Sequence, residues 1–283
     1  MKTVLITGGK GQLAHCLKDL TKNNKQYAFL YVDYDELDIT NKGDVDAYFL
    51  KNKIDYCINC AAYTAVDAAE QEHIAARQVN FLGVKNLAEA CNNNSAILIQ
   101  VSTDFVFNGK HFKPYLENDK ANPISVYGQT KLEGEQAVTT ILDHYFIIRT
   151  SWLYSEYGNN YLKTMLKLAK VKDELGIITD QVGTPTYAGD LAGFILNLVQ
   201  SNTSQYGTYH YSNEGVASWY DFTKAIYRLT GINTKVNPIK SEAYKQAANR
   251  PMYSVLDKSK TKKVFNIDVP YWVDSLVKAI DRL

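Results

Sequence analysis

Tyr127 and Lys131 stand four residues apart in Val126-Tyr127-Gly128-Gln129-Thr130-Lys131. On a helix that spacing places both side chains on one face. An unperturbed phenol titrates at about 10, too high for acid–base work at neutral pH, and an adjacent ammonium lowers it. A phenol tuned in this way can give its proton to a carbonyl oxygen while a hydride reaches the carbonyl carbon. In a chain with 21 tyrosines, Tyr-x-x-x-Lys alone is a frequent chance pairing, so its neighbours decide its meaning. Ser102-Thr103-Asp104 directly follows the apolar run Ala96–Val101. Ligands of a doubly wound sheet sit at the carboxyl ends of its strands. The Thr103 hydroxyl is therefore placed to polarise the same carbonyl as Tyr127.

A hydride donor needs its own site. Gly8-Gly9-Lys10-Gly11-Gln12-Leu13-Ala14 follows the β-branched run Thr3–Thr7 and opens a helical pattern. Gly8 permits a tight turn, and Gly11 lets a pyrophosphate approach the free N–H groups of a helix N-terminus. Asp33 ends the next apolar run, 22 positions beyond Gly11, where it can accept hydrogen bonds from the adenosine ribose hydroxyls. A carboxylate there repels a 2′-phosphate and leans toward NADH. Lys10 in the loop offsets that repulsion, so NADH and NADPH both stay open.

These residues need a scaffold, and the hydrophobic pattern supplies one. Strands are expected at Thr3–Thr7, Ala28–Val32, Tyr56–Ala61, Ala96–Val101 and Tyr145–Ile148. Helices are expected at 10–23, 42–52, 71–92 and 125–142, the second capped from Asp38-Ile39-Thr40-Asn41. Continuous apolar strands alternating with helices imply a parallel sheet covered on both faces, an α/β class. After Arg149 the rhythm loosens: a polar loop at Ser155–Asn160, a helix from Tyr161, a strand at Leu175–Thr179, a helix at Ala188–Val199, then short aromatic-rich elements. The expected organisation is a dinucleotide-binding domain over 1–150, with about 175–200 returning to it, and a smaller α/β substrate domain over 151–283.

Composition narrows the classes. The chain has 283 residues, 46% hydrophobic and 22% charged, which excludes disorder as its main state. A net charge of +1 argues against a nucleic-acid or anionic-membrane partner. No apolar run approaches the roughly 18 residues a membrane span needs. The start, Met1-Lys2-Thr3-Val4-Leu5-Ile6-Thr7-Gly8, is too short for a signal-peptide core, and a cytoplasmic protein is expected. Cys57 and Cys60 form a C-x-x-C, but on a strand they point to opposite faces, which suits two core residues better than a redox pair or zinc site. The five histidines show no ligand spacing, and Lys258, Lys260, Lys262 and Lys263 read as a solvated helix face.

In order along the chain stand a glycine loop, a strand-end hydroxyl and a helical Tyr/Lys pair. Other segments join them: Asn59-Cys60-Ala61-Ala62-Tyr63-Thr64-Ala65-Val66-Asp67, Ser102-Thr103-Asp104-Phe105-Val106-Phe107-Asn108-Gly109, Arg149-Thr150-Ser151-Trp152, Asp180-Gln181-Val182-Gly183-Thr184-Pro185-Thr186 and Arg250-Pro251-Met252-Tyr253. Together they resemble the extended short-chain dehydrogenase/reductase family and, within it, the dTDP-4-dehydrorhamnose reductases. The resemblance implies a Rossmann-like fold and reduction of the 4-keto group of dTDP-4-dehydro-L-rhamnose by NADH or NADPH. It also implies site roles. Tyr127 would be the proton donor, Lys131 its partner and Thr103 the assisting hydroxyl, with Thr103, Asp104 and Trp152 touching the sugar nucleotide. Gln12, Leu13, Asp38, Ile39, Ala61, Ala62 and Tyr63 would line the cofactor beside Gly8, Gly11 and Asp33. Arg250 reads either as a surface ion pair or as a ligand of the substrate diphosphate. Ala14 replaces a usual glycine and Cys60 an alanine, both small enough to leave the site intact. The acidic residues that hold Mg²⁺ between subunits in some members have no counterpart that can be placed. No metal ligand is assigned, and Mg²⁺ and a homodimer stay open.

Three rivals share these features. A 4,6-dehydratase of this superfamily needs Thr-Asp-Glu, and Phe105 stands at the third position. An epimerase shares the tyrosine and the cofactor but consumes no reductant. A regulatory chain of the methionine adenosyltransferase type would not need Tyr127, Lys131 and Thr103 together.

Overall fold

The structure is a computed structural model that describes residues 1–283. Its first half runs β1 (Lys2–Thr7), α1 (Gln12–Thr21), β2 (Tyr27–Tyr31), α2 (Lys42–Asn52), β3 (Tyr56–Asn59), the single turn α3 (Val66–Ala69) and α4 (His73–Arg77). A π-helical segment, Gln78–Gly83, leads into α5 (Val84–Asn93), followed by β4 (Ile97–Thr103), α6 (Val126–Ile141) and β5 (Tyr145–Thr150). Next come β6 (Leu153–Tyr154), α7 (Tyr161–Leu168), β7 (Glu174–Ile178), β8 (Val182–Gly183), β9 (Thr186–Tyr187), α8 (Ala188–Gln200) and β10 (Gly207–His210). The chain ends with β11 (Ala217–Ser218), α9 (Trp219–Thr230), β12 (Lys235–Ile239), α10 (Ser259–Phe265) and α11 (Trp272–Ile280).

Six strands form one parallel sheet in the order β10-β5-β4-β3-β1-β2. Its central strands are largely apolar because both faces are covered, with polar residues such as Asn59, Gln100 and Arg149 toward their carboxyl ends. Val4 and Ile6 of β1 join one apolar layer with Leu17 of α1 and Leu191 and Ile195 of α8. Leu5 joins the opposite layer with Val45 and Phe49 of α2 and Leu87 of α5. Cys57 lies in the second layer and Cys60 packs on the first, and all four cysteines are free. The chain reverses direction across the sheet between β1 and β3, which opens a crevice at their carboxyl ends.

The helix starts have identifiable causes. Asn41 accepts hydrogen bonds from Gly43 N and Asp44 N and starts α2. Ser125 Oγ accepts from Gly128 N at 3.1 Å and starts α6. Gly128 is required beyond the cap, since a Cβ there would lie 2.2 Å from the Phe105 carbonyl oxygen. That close approach presses the first turn of α6 onto the turn after β4.

Two differences from the sequence reading stand out. The single helix expected over 71–92 is interrupted by the π-helical segment, and Ile74 ahead of it is 77% exposed. The π segment rotates the face, because its wider turn breaks the 3.6-residue period. It also buries Asn80, whose side chain holds Tyr63 N at 2.9 Å and Tyr63 O at 3.0 Å. The second difference lies in the stretch about 175–200, which the sequence places with the first domain. There α8 packs on α1, but β7 pairs with β12 beside a separate core of Tyr154, Leu162, Phe222, Ile226 and Leu276. Beyond that stretch, β10 extends the first sheet. No helix is long and apolar enough to cross a membrane.

Behind the sheet's carboxyl end lies a buried ion pair. Arg149 Nη2 and Nε donate to Glu135 Oε2 and Oε1 at 2.7 and 3.0 Å, and Ser102 Oγ also donates to Glu135. Removing one partner strands the other in a dry interior. Arg149→Met should therefore cost about 3–5 kcal/mol of stability in urea unfolding, with the Arg149→Met/Glu135→Leu double variant closer to the parent. Equal losses in the two variants would contradict this assignment.

Candidate active site

The carboxyl ends of the central strands open on a cleft of about 950 Å³, walled on the far side by the C-terminal lobe. At its β1 end the turn is built on Gly8, at φ +64°, where a Cβ would lie 2.7 Å from Ala61 N. Only glycine allows the β3 end to approach so closely. Gly11 begins α1 with no side-chain cap, so the first-turn N–H groups face the cleft as anion donors. Asp33 braces the loop, accepting from Lys10 N at 2.7 Å and Tyr34 N at 2.8 Å. The Lys10 ammonium turns away to Asp35 at 2.6 Å. Gln12, Leu13, Asp38, Ile39, Ala61 and Ala62 all line this part. The glycine cradle, the open helix start and the strand-end carboxylate fit a dinucleotide.

Tyr63 is the exception among the expected cofactor contacts. It is not part of the cleft wall; its hydroxyl donates to Glu72 Oε2 at 2.7 Å. Asn80 pins its backbone from the π segment, and the ring points away along the surface.

Thr103, Tyr127 and Lys131 converge in the middle of the cleft. Lys131 is 5% exposed and donates to the Val101 carbonyl at 2.7 Å. Burial lowers its ammonium to about 8, against an opposing pull from Glu135 and the Cys60 thiol. Burial pushes the Tyr127 phenol up to about 12; its hydrogen bond with Thr103 eases this, and Asp104 adds to it. The sequence reading has Lys131 lowering the phenol. In the structure desolvation dominates, and the ammonium is spent on a backbone carbonyl.

Asp104 sits beside them, 2% exposed. Its Oδ1 accepts from Thr103 Oγ at 3.1 Å, and its Oδ2 has no partner. Burial raises this carboxyl to about 7, against the pull of the Ser254 and Thr103 hydroxyls. Phe105 turns its ring edge-on to Tyr127, with centroids 5.6 Å apart.

The far wall holds Trp152, at φ +46°, stacked on Trp219 with centroids 3.6 Å apart and planes 4° from parallel. Trp219 Nε1 donates to Gln181 Oε1 at 3.2 Å. The sequence reading passes over Trp219; its one signal is its place at the start of α9, behind the capping box of Ser218 and Asp221. Gln12, expected beside the cofactor, has a further role that the sequence does not show: its side chain ties the glycine loop to Leu153 O, Ser155 and Asn160. Arg250 lines the cleft while making a bidentate pair with Asp67, at 3.0 and 2.6 Å. No group of three or more His, Cys, Asp or Glu side chains is arranged to hold a metal ion.

The Asp104 carboxyl has a sign to test. Raised in the folded state, it stays protonated where the unfolded chain has ionised. It therefore subtracts stability as pH climbs from about 4 through about 7. Asp104→Asn should be more stable than the parent at about pH 8, by up to roughly 4 kcal/mol, with the gain fading toward about pH 4. Urea unfolding at both ends of that range checks it, and a pH-independent difference would refute it.

Comparison with known proteins bears on the whole chain. The model of the RmlD substrate binding domain family matches residues 1–283. A dTDP-4-dehydrorhamnose reductase of Aggregatibacter actinomycetemcomitans is 42% identical, covering 98% of this chain and 97% of its own. The crystal structure of a dTDP-4-dehydrorhamnose reductase from Clostridium acetobutylicum superposes with a TM-score of 0.95 at 43% identity, covering 99% of this chain and 98% of that one. The Bacillus anthracis dTDP-4-dehydrorhamnose reductase in complex with NADP gives a TM-score of 0.96 at 39% identity, with both chains fully covered. The match runs from end to end, and the chain belongs to the RmlD substrate binding domain family.

Proposed function

We propose that this chain reduces the 4-keto group of dTDP-4-dehydro-L-rhamnose to give dTDP-L-rhamnose, with NADH or NADPH as reductant. The observation that carries this is the meeting of Thr103, Tyr127 and Lys131 against the glycine cradle, in a chain whose relatives are named for that reduction. When bound, the nicotinamide supplies the hydride. Tyr127 supplies the proton to the carbonyl oxygen, so that hydride and proton together convert C=O to CH–OH. Thr103 hydrogen-bonds the same oxygen. Lys131, anchored on Val101, holds the ribose side of the cofactor. The unpartnered Asp104 oxygen accepts from a sugar hydroxyl, and Trp152 shapes the sugar pocket. Asp33 receives the adenosine ribose.

Phe105 favours reduction over dehydration, because elimination across C5–C6 needs a second carboxylate where an aromatic ring now packs on Tyr127. The intact trio likewise favours an enzyme over a regulatory chain. The partner is a nucleotide sugar rather than nucleic acid, consistent with a net charge of +1, and the setting is the cytoplasm.

The direct test follows NAD(P)H oxidation with dTDP-4-dehydro-L-rhamnose and identifies the product. Stoichiometric oxidation with formation of dTDP-L-rhamnose is expected; turnover without net oxidation would point to epimerisation. Tyr127→Phe keeps the ring and removes the acid, which contributes roughly 10²–10⁴-fold. Turnover should fall at least about a hundredfold, or ~2.7 kcal/mol of barrier, with cofactor affinity nearly intact. Lys131→Met should lose both turnover and cofactor affinity. Near-parental reduction by the phenylalanine variant would remove Tyr127 from its role. Asp33→Asn should weaken NADH more than NADPH; equal changes in the two dissociation constants would remove Asp33 from the ribose site.

A further inference from the structure

Asp67 has no part in the chemistry above, yet it draws four donors from the other side of the cleft. Ala247 N and Ala248 N donate to its Oδ1 at 3.1 and 3.0 Å. Arg250 Nη1 donates to the same oxygen at 3.0 Å and Nη2 to Oδ2 at 2.6 Å. All four come from one short segment of the C-terminal lobe. The segment's other side is stitched to β8: Val182 N donates to Met252 O at 2.9 Å and Ser254 N to Val182 O at 2.8 Å. Gln181, which holds Trp219, also reaches Gln246 at 3.4 Å. Residues 246–254 therefore form a strap, tied to the C-terminal lobe at β8 and to the nucleotide-binding lobe at Asp67.

The strap carries Arg250 into the cleft wall, 17% exposed in its side chain. A guanidinium has five N–H donors. Asp67 takes two and Ala248 O a third, at 3.4 Å. The Nε–H and one Nη2–H are left in a fixed plane. A bidentate carboxylate sets the orientation of that plane, and the two N–H donors left free suit a phosphate oxygen pair.

We propose that Asp67 is a positioning residue: it bridges the two lobes through the 246–254 strap and orients Arg250 for the diphosphate of the nucleotide-sugar substrate. The proposal rests on the reading of the substrate given above. It makes a prediction whose sign is opposite to simple electrostatics. Removing a negative charge beside an anion site would by Coulomb's law alone tighten the anion. Positioning outweighs that repulsion, so removal weakens the anion's binding.

Asp67→Asn should raise KM for dTDP-4-dehydro-L-rhamnose about tenfold, the equivalent of ~1.4 kcal/mol, with kcat within about twofold and the NADPH dissociation constant unchanged. Asp67→Glu should recover part of the loss. Arg250→Gln should show the same KM rise, and the Asp67→Asn/Arg250→Gln double variant no more than the single one, because both remove one interaction. Titration calorimetry with dTDP carries the same expectation and needs no turnover. A parent protein that binds dTDP but does not reduce the sugar would overturn the proposed reaction and leave the Asp67 comparison readable. An unchanged or lowered KM and dTDP dissociation constant in Asp67→Asn, or fully additive effects in the double variant, would overturn the role of Asp67.

Discussion

A buried ammonium organises the centre of this molecule. Lys131 is almost wholly removed from water, and an unpaired charge in that position is costly. The structure answers with the Val101 carbonyl in front and the Glu135 carboxylate one helical turn behind. Glu135 is in turn held by Ser102 on β4 and Arg149 on β5. One charge therefore ties α6 to two neighbouring strands at their carboxyl ends. Tyr127 lies one turn before Lys131 on the same helix, and Thr103 two residues beyond Val101 on the same strand. Satisfying the ammonium brings the phenol and the hydroxyl to one place.

The sheet makes that place a binding site. Its chain reversal between β1 and β3 leaves the glycine loop and the β3 end facing each other, close enough that a side chain on Gly8 would collide with Ala61. The loop is stiffened from both sides, by Asp33 on its backbone and by Gln12 reaching the loop after β6. A cradle held this way needs little reorganisation to accept a pyrophosphate, which lowers the entropic cost of binding.

Much of this was legible in the sequence because its causes are local or periodic. Strands buried on both faces read as apolar runs, caps at Asn41 and Ser125 mark helix starts, and the glycine loop and the Tyr/Lys spacing are short motifs. What was not legible depends on contacts made at long range. The π segment is a one-residue departure from helical period, and the partners of its Asn80, Tyr63 and Thr130, lie in two other segments. Tyr63 belongs to a motif that lines the cleft, but Asn80 and Glu72 turn it outward. The return of β10 to the first sheet follows from pairing with β5, about sixty residues earlier, which a four-residue strand does not advertise. Trp219 looks ordinary in sequence, and the motif that ends at Asp67 does not show its partner; Trp152 and Arg250 lie on other elements.

On the proposed reaction, the two lobes divide the labour of catalysis. Thr103, Tyr127 and Lys131, the proposed reacting groups, all lie in the first lobe and cannot by themselves distinguish one ketone from another. Discrimination must come from parts of the substrate that do not react, held by residues that touch nothing else in the chemistry. Trp152 with Trp219, Asp104 with its free oxygen, and Arg250 on its strap all line the cleft, and two of these positions belong to the second lobe. Holding the nucleotide and its diphosphate there would fix where the sugar carbonyl falls relative to the phenol. Well-oriented reactants can gain several kcal/mol in this way, on the order of 7–11 in favourable cases. On the proposed reaction the buried Tyr127 serves only a carbonyl delivered to it. A phenol keeps its proton at neutral pH whether at about 10 or pushed up to about 12, and it yields that proton to the far more basic alkoxide that hydride addition creates.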